Sequence, residues 1–166
     1  MSKGYERMAV EDRWTKEGEQ FMRQLRELAE LEVRIGYQSD QGSSGGADDD
    51  KPRADLVDIA MWNELGTVNI PSRPFMRDSV DKHRTAIEHA LMAQEGALRK
   101  GATARKVLET IGIFMKDLMQ TEIEQGDFVA NNPETIKRKG SDKPLIDTGT
   151  LKNSVNFWIT KKRQGD

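Results

Sequence analysis

The sequence predicts an α+β domain, a small and mostly antiparallel sheet packed against long helices with extended loops between them. Three observations predict it. Long stretches carry apolar residues at helical spacing, at 11–31, 74–95 and 103–125. Two short stretches near opposite ends of the chain alternate apolar and polar residues, as strands do. Helices outnumber strands, and a small sheet covered by long helices buries both kinds of apolar face. At 166 residues the chain has the size of one domain, spanning 1–166.

The first helix is expected over 11–31, where Trp14, Phe21, Leu25 and Leu28 recur among Glu, Arg and Gln; Gly18 weakens its first half. The period then changes to two. Val33, Ile35 and Tyr37 alternate with Arg34 and Gly36, which predicts a strand over 32–37. Residues 38–51, QSDQGSSGGADDDK, predict a mobile, solvated loop. It lacks the spaced ligands and closing Glu of an EF-hand, so no calcium site is assigned.

A short helix is expected over 54–65, apolar on most sides and therefore buried or at an interface, with Gly66 ending it. Pro71 and Pro74 stiffen the following loop, and Pro74 suits the first turn of a helix over 74–95. That helix carries one stripe of Met76, Val80, His83, Ile87, Ala90 and Leu91, and Gly96 and Gly101 break it. The helix over 103–125 has a broad face of Val107, Leu108, Ile111, Phe114, Met115, Leu118 and Met119. Gly112 within it costs roughly 1 kcal/mol against alanine, which points to a close backbone approach. Residues 126–144 read as irregular, with the basic cluster Lys137, Arg138, Lys139 and Lys143. Asp147 or Thr148 can cap one helical turn over 149–154. A strand over 155–160 closes the fold with Val155, Phe157 and Ile159 on one side and Trp158 on the other, and 161–166 form a loose tail.

Composition narrows the function. The chain has no cysteine, so disulfides, thiolate catalysis and most structural zinc sites are ruled out. His83 and His89 are its only histidines, and they do not form an HExxH-type pair, so neither a metal site nor a cofactor is assigned. Charged residues make up 33% of the chain, yet the net charge is only −2, without the basic excess usual in a DNA reader. No apolar run approaches a membrane span, and the first residues carry no signal-peptide core, so synthesis and assembly in the cytoplasm are expected. Glu122, Glu124 and Asp127 read as a solvated helix end.

One stretch resembles catalysis. Residues 144–150, PLIDTGT, carry the Asp-Thr-Gly signature found around aspartic protease carboxylates. That chemistry needs a second carboxylate close enough to share a proton, which a short chain supplies only by dimerising. It also needs an all-β body, whereas this body reads as helical. A capped turn at Asp147 and Thr148 explains the stretch more simply, which leaves a dimeric protease as a remote alternative.

Two segments taken together say more. Residues 59–75, IAMWNELGTVNIPSRPF, match A-x-x-x-E-x-G-T followed by I-P-x-R-P-F. Residues 132–155, NPETIKRKGSDKPLIDTGTLKNSV, match T-x-x-R-K-G followed by P-L-I-D-T-G-x-L-x-x-S. In order and spacing the pair resembles the tail-completion and virion-morphogenesis proteins of tailed bacteriophages, also called neck or head–tail joining proteins. The resemblance covers roughly residues 25–159. Leu65 stands where an aromatic is more usual, and the acidic loop is long.

The resemblance implies a structural virion protein that acts by binding and is not an enzyme. It implies a homo-oligomeric ring, expected as a hexamer, at the head–tail junction of the virion. The expected partners are other copies of itself, the head-side connector or stopper, and the tail terminator or tube. DNA would pass through the lumen without sequence recognition, and no membrane is involved. The tail terminator ring itself is the nearest alternative. Carried over, Asn63, Glu64, Gly66 and Thr67 end the short helix and form its turn. Pro71, Arg73, Pro74 and Phe75 form a rigid elbow. Lys139, Asp147, Thr148, Gly149, Leu151 and Ser154 form the second loop and the approach to the last strand. Trp62 and Trp158 are the expected interface anchors, because large aromatics dominate binding hot spots. Arg73, held between two prolines, is expected to pair with Glu64, either within the subunit or across a ring interface.

Overall fold

The computed structural model describes residues 15–39 and 54–163. The expected acidic loop over 38–51 falls almost wholly outside them, as do Trp14 and the end of the expected tail. The described residues form seven helices and two strands. They run α1 (Lys16–Glu30), β1 (Leu31–Gly36), α2 (Leu56–Leu65), α3 (Phe75–Asp81), α4 (Arg84–Arg99), α5 (Ala104–Gln125), α6 (Pro133–Lys139), α7 (Thr150–Asn153) and β2 (Asn156–Lys161).

The strands β1 and β2 form one antiparallel ribbon, with Val33 opposite Ile159 and Ile35 opposite Phe157. Alternation puts these four side chains on one face, and α5 lies against the ribbon. Gly112 is the point of closest approach: a Cβ there would lie 2.6 Å from Phe157 Cγ. The close backbone contact expected from the mid-helix glycine is therefore with the last strand. β2 reaches Lys161, and the Lys162 N–H donates to Glu30 O at 2.8 Å, so the first residues of the expected loose tail are pinned.

α5 is the axis of the fold. Thr103 Oγ1 caps it, and the Gln24 side chain of α1 accepts the Ala104 N–H at 2.6 Å. The expected helix over 74–95 is two helices. The chain turns at Lys82 and His83, so that α3 and α4 each pack on α5 along their own direction. The turn sits over Glu122, which is buried and receives Lys82 Nζ at 2.6 Å; His83 Nε2 lies 3.7 Å away. Glu122 is thus no part of a solvated helix end. The helix also runs through Gly96 and stops only at Lys100.

Residues 133–139, expected to be irregular, form α6. Asn132 accepts the Glu134 N–H, Pro133 opens the helix, and Lys137, Arg138 and Lys139 fill its last turn, where cations offset the carbonyl end of the helix dipole.

The core gathers around Phe75, which is fully buried among Leu56, Ala60, Met119, Ile123, Leu145, Leu151 and Val155. The Tyr37 ring meets Phe75 edge-on at 6.4 Å between centroids. The Tyr37 hydroxyl donates to Leu151 O at 2.9 Å, tying the end of β1 to α7. Burial first, and the charge of Glu64 second, push this phenol well above its ordinary pKa of 10.0. The unfolded chain ionises there above pH 10.0 while the folded chain keeps its proton, so this contribution is complete below that pH and is lost as pH rises beyond it. Tyr37→Phe is expected to cost about 1 kcal/mol at neutral pH through the lost hydrogen bond. Urea titrations at increasing pH should show the gap to wild type narrowing above pH 10.0.

Candidate functional site

The two sequence motifs meet in space. The first is an elbow between α2 and α3 in which each polar residue has a local task. Asn63 Nδ2 donates to Ile59 O at 2.8 Å, and the Asn63 carbonyl accepts the Arg73 N–H at 2.6 Å. Thr67 Oγ1 accepts the N–H groups of Asn69 and Ile70, closing the loop tip. Ser72 Oγ donates to Glu64 O at 2.8 Å. Pro74 sits at φ −78° and ψ 59° in an inverse γ-turn, with the Phe75 N–H donating to Arg73 O. Pro74 therefore precedes α3 rather than lying in its first turn.

Gly66 makes the elbow possible. It holds φ 79° and ψ 166°, a region essentially reserved for glycine, and a Cβ there would lie 2.9 Å from the Ser72 nitrogen. Gly66→Ala is expected to lower stability by about 2–3 kcal/mol, combining backbone strain with a clash against main chain that cannot swing away. Chemical denaturation of the variant measures it.

Within the subunit Glu64 does not pair with Arg73. Its carboxylate accepts the Met76 N–H at 2.8 Å and the Arg77 N–H at 3.1 Å, serving as the cap that Pro74 cannot supply to α3. Arg73 turns the other way and is buried, with 4% of its surface exposed. Its Nε donates to Val129 O at 2.8 Å, Nη1 to Asn63 Oδ1 at 3.2 Å, and Nη2 to Asn131 Oδ1 at 3.0 Å and Ala130 O at 3.3 Å. Burial lowers the guanidinium's pKa, though such a group stays charged at neutral pH. One side chain thus fastens the elbow to a segment 56 to 58 residues further along the chain.

The second motif completes the junction from the other side. Leu145 and Leu151 enter the core, and Thr148 Oγ1 accepts the Thr150 N–H at 3.4 Å at the start of α7. Asp147 caps nothing, and Gly149, at φ 79°, occupies the N-cap position itself. Asp147 is exposed on its turn. Its charge acts on Lys139, whose ammonium is pulled below its ordinary pKa by burial first, with Asp147 opposing and Arg73 and Arg138 reinforcing. Lys139 Nζ reaches Pro144 O at 3.4 Å.

Between the halves lies a cavity of 380 Å³ with Arg73, Arg138, Lys139, Asp147, Asn63 and Asn131 on its polar side and Ile59, Ile70, Leu145 and Leu151 on its apolar side. A second hollow of 310 Å³ opens between α2 and the ribbon, lined by Met61, Leu65, Met76, Tyr37 and Trp158.

The sixteen residues singled out in the sequence separate into three groups. Arg73, Phe75 and Leu151 are buried, so their first task is to hold the subunit together. Asn63, Glu64, Gly66, Pro74, Lys139, Gly149, Ser154 and Trp158 are half-buried. Trp62, Thr67, Pro71, Asp147 and Thr148 are exposed. Neither tryptophan belongs to the buried core. Reading the sequence missed Val129 and Ala130, which act through carbonyls and leave no side-chain signal, and it missed α6. Asn132, Pro133 and Gly140 around α6 were a legible start and stop. Among the described residues no three His, Asp or Glu side chains could share a metal ion, and no helix is long and apolar enough to cross a membrane.

No family model, no curated protein and no solved structure matches this chain.

Proposed function

We propose that this protein is a structural component of a tailed-phage neck, completing the tail and joining it to the DNA-filled head as one subunit of a ring. The observation that carries the reading is the meeting of the two motifs: Leu145, Leu151 and Val155 of the second pack around Phe75 of the first, and residues of both line one cavity beside Arg73. Short patterns recur by chance, but two of them in order that fold into one interlocked junction form a single structural unit. In a neck, such a junction keeps its shape under load from both neighbours. The exposed Trp62, Thr67 and Pro71 stand on its outer side, where a neighbouring subunit can reach them.

Subunits in a ring meet through two different faces that close on rotation. One end of the ring docks the head connector, the other docks the tail terminator or tube, and DNA passes through the lumen. The direct test is electron microscopy of particles produced after deletion of the gene. Filled heads accumulating beside finished but unattached tails are the expected result. Abnormally long tails would move the protein to the terminator ring. Infectious particles at normal yield would refute a neck role. For the Asp147 motif, an Asp147→Asn chain is expected to assemble as wild type does, and loss of a peptide-cleaving activity in that variant would instead reopen the protease reading.

A further inference from the structure

We propose that the cavity between the elbow and α6 is a receptor for one carboxylate side chain, a Glu or Asp presented by a neighbouring protein subunit. The charge around it is unbalanced: Arg73, Arg138 and Lys139 line it against Asp147 as the one carboxylate. Among the described residues none of the three cations lies in a salt bridge, and Arg73 is held by neutral oxygens alone. Four of the five guanidinium N–H groups are used there, which leaves one on Nη1. Lys139 spends one long hydrogen bond on Pro144 O and has further donors to offer.

Buried charge is ordinarily matched by opposite charge, and a concave site with surplus cations favours an anion. The walls identify which anion. Ile59, Ile70 and Leu145 form an apolar flank that suits the methylene arm of an acidic side chain. A bare phosphate would leave that flank wet and would meet Asp147 with more than one negative charge. A carboxylate that reaches the cavity also gains from the low-dielectric wall and the guanidinium behind it, a stronger contact than the same pair would make on open surface.

This proposal deepens the assembly reading of the same site and rests on it for the identity of the partner as a subunit. Its test is separate. The whole chain, labelled with ¹⁵N, is titrated with N-acetyl-glutamate α-amide, with the neutral N-acetyl-glutamine α-amide, and with inorganic phosphate. The expected result is a saturable shift of the Arg73 Nε–H and Asn131 side-chain amide signals with the glutamate derivative, weakened by added salt. Lys139→Met is expected to weaken that binding about tenfold, the weight of one charge-assisted hydrogen bond. Arg138→Gln, on the exposed side of α6, serves as a second variant and should also weaken it.

Equal binding of the glutamine derivative, tighter binding of phosphate at the same signals, or no saturable shift would each overturn the proposal. Carboxylate binding together with intact necks after gene deletion would defeat the neck reading and leave the site standing. Unjoined heads and tails without carboxylate binding would do the reverse.

Discussion

Arg73→Met is expected to cost about 3 kcal/mol of folding stability, read as a lowered urea midpoint with an unchanged slope. The substitution keeps a long apolar stem in the buried position and removes every donor from it. Four acceptors then lose their partner: Val129 O, Ala130 O, Asn63 Oδ1 and Asn131 Oδ1. A buried acceptor left unpaired costs about 1–3 kcal/mol. Val129 and Ala130 are exposed residues, so the loss is expected to fall mainly on the two half-buried asparagines. Arg73→Lys is expected to recover only part of it. An ammonium is a compact point charge, and it cannot span acceptors on the elbow and on the 129–131 segment together as the planar fork does. Full recovery by lysine would mean that charge rather than geometry holds the junction.

Phe75→Ala is expected to be the more damaging change, at about 3–5 kcal/mol. The ring is fully buried and touches elements from both halves of the chain, so its removal leaves a void that Leu56, Met119, Leu145 and Val155 cannot all close at once. In a chain of this size such a loss lowers the melting temperature by roughly 10–15 °C, which calorimetry or circular dichroism resolves. Phe75→Leu retains much of the volume and should melt much closer to wild type. The same two residues show how a motif can mislead about its own purpose. Arg73 and Phe75 suggest recognition when written as a pattern, yet each is buried in its own subunit. If the neck assignment is right, their loss should prevent assembly by unfolding the subunit, whereas Trp62→Ala should spare folding and weaken only the contact between subunits. Comparing soluble yield and melting with particle yield separates the two effects.

Much of the architecture was legible along the chain because it is set by near neighbours. The period of apolar residues located α2, α5 and the end of α1 to within a few residues, and Gly66 bounded α2 as a cap should. The change of period at residue 31 and the apolar alternation at the far end located both strands. Gly112 announced a close approach, since a glycine that weakens a long helix needs a reason. The break at Lys82 and His83 carried no such signal. Neither residue disfavours a helix strongly, and the turn exists because α5 lies underneath with Glu122 facing it.

Spacing, caps and composition were enough to establish an α+β fold of long helices over a small sheet, with a stiff loop at the prolines. Only tertiary structure decided that Arg73 binds main-chain oxygens rather than Glu64, that Glu64 caps α3, and that the two motifs enclose a cationic cavity. The physical reason is that local preferences depend on residue type and are therefore written in the sequence. The acceptors of Arg73 include carbonyls that every residue carries alike, and which carbonyl stands within reach is settled only when the core around Phe75 brings the chain together.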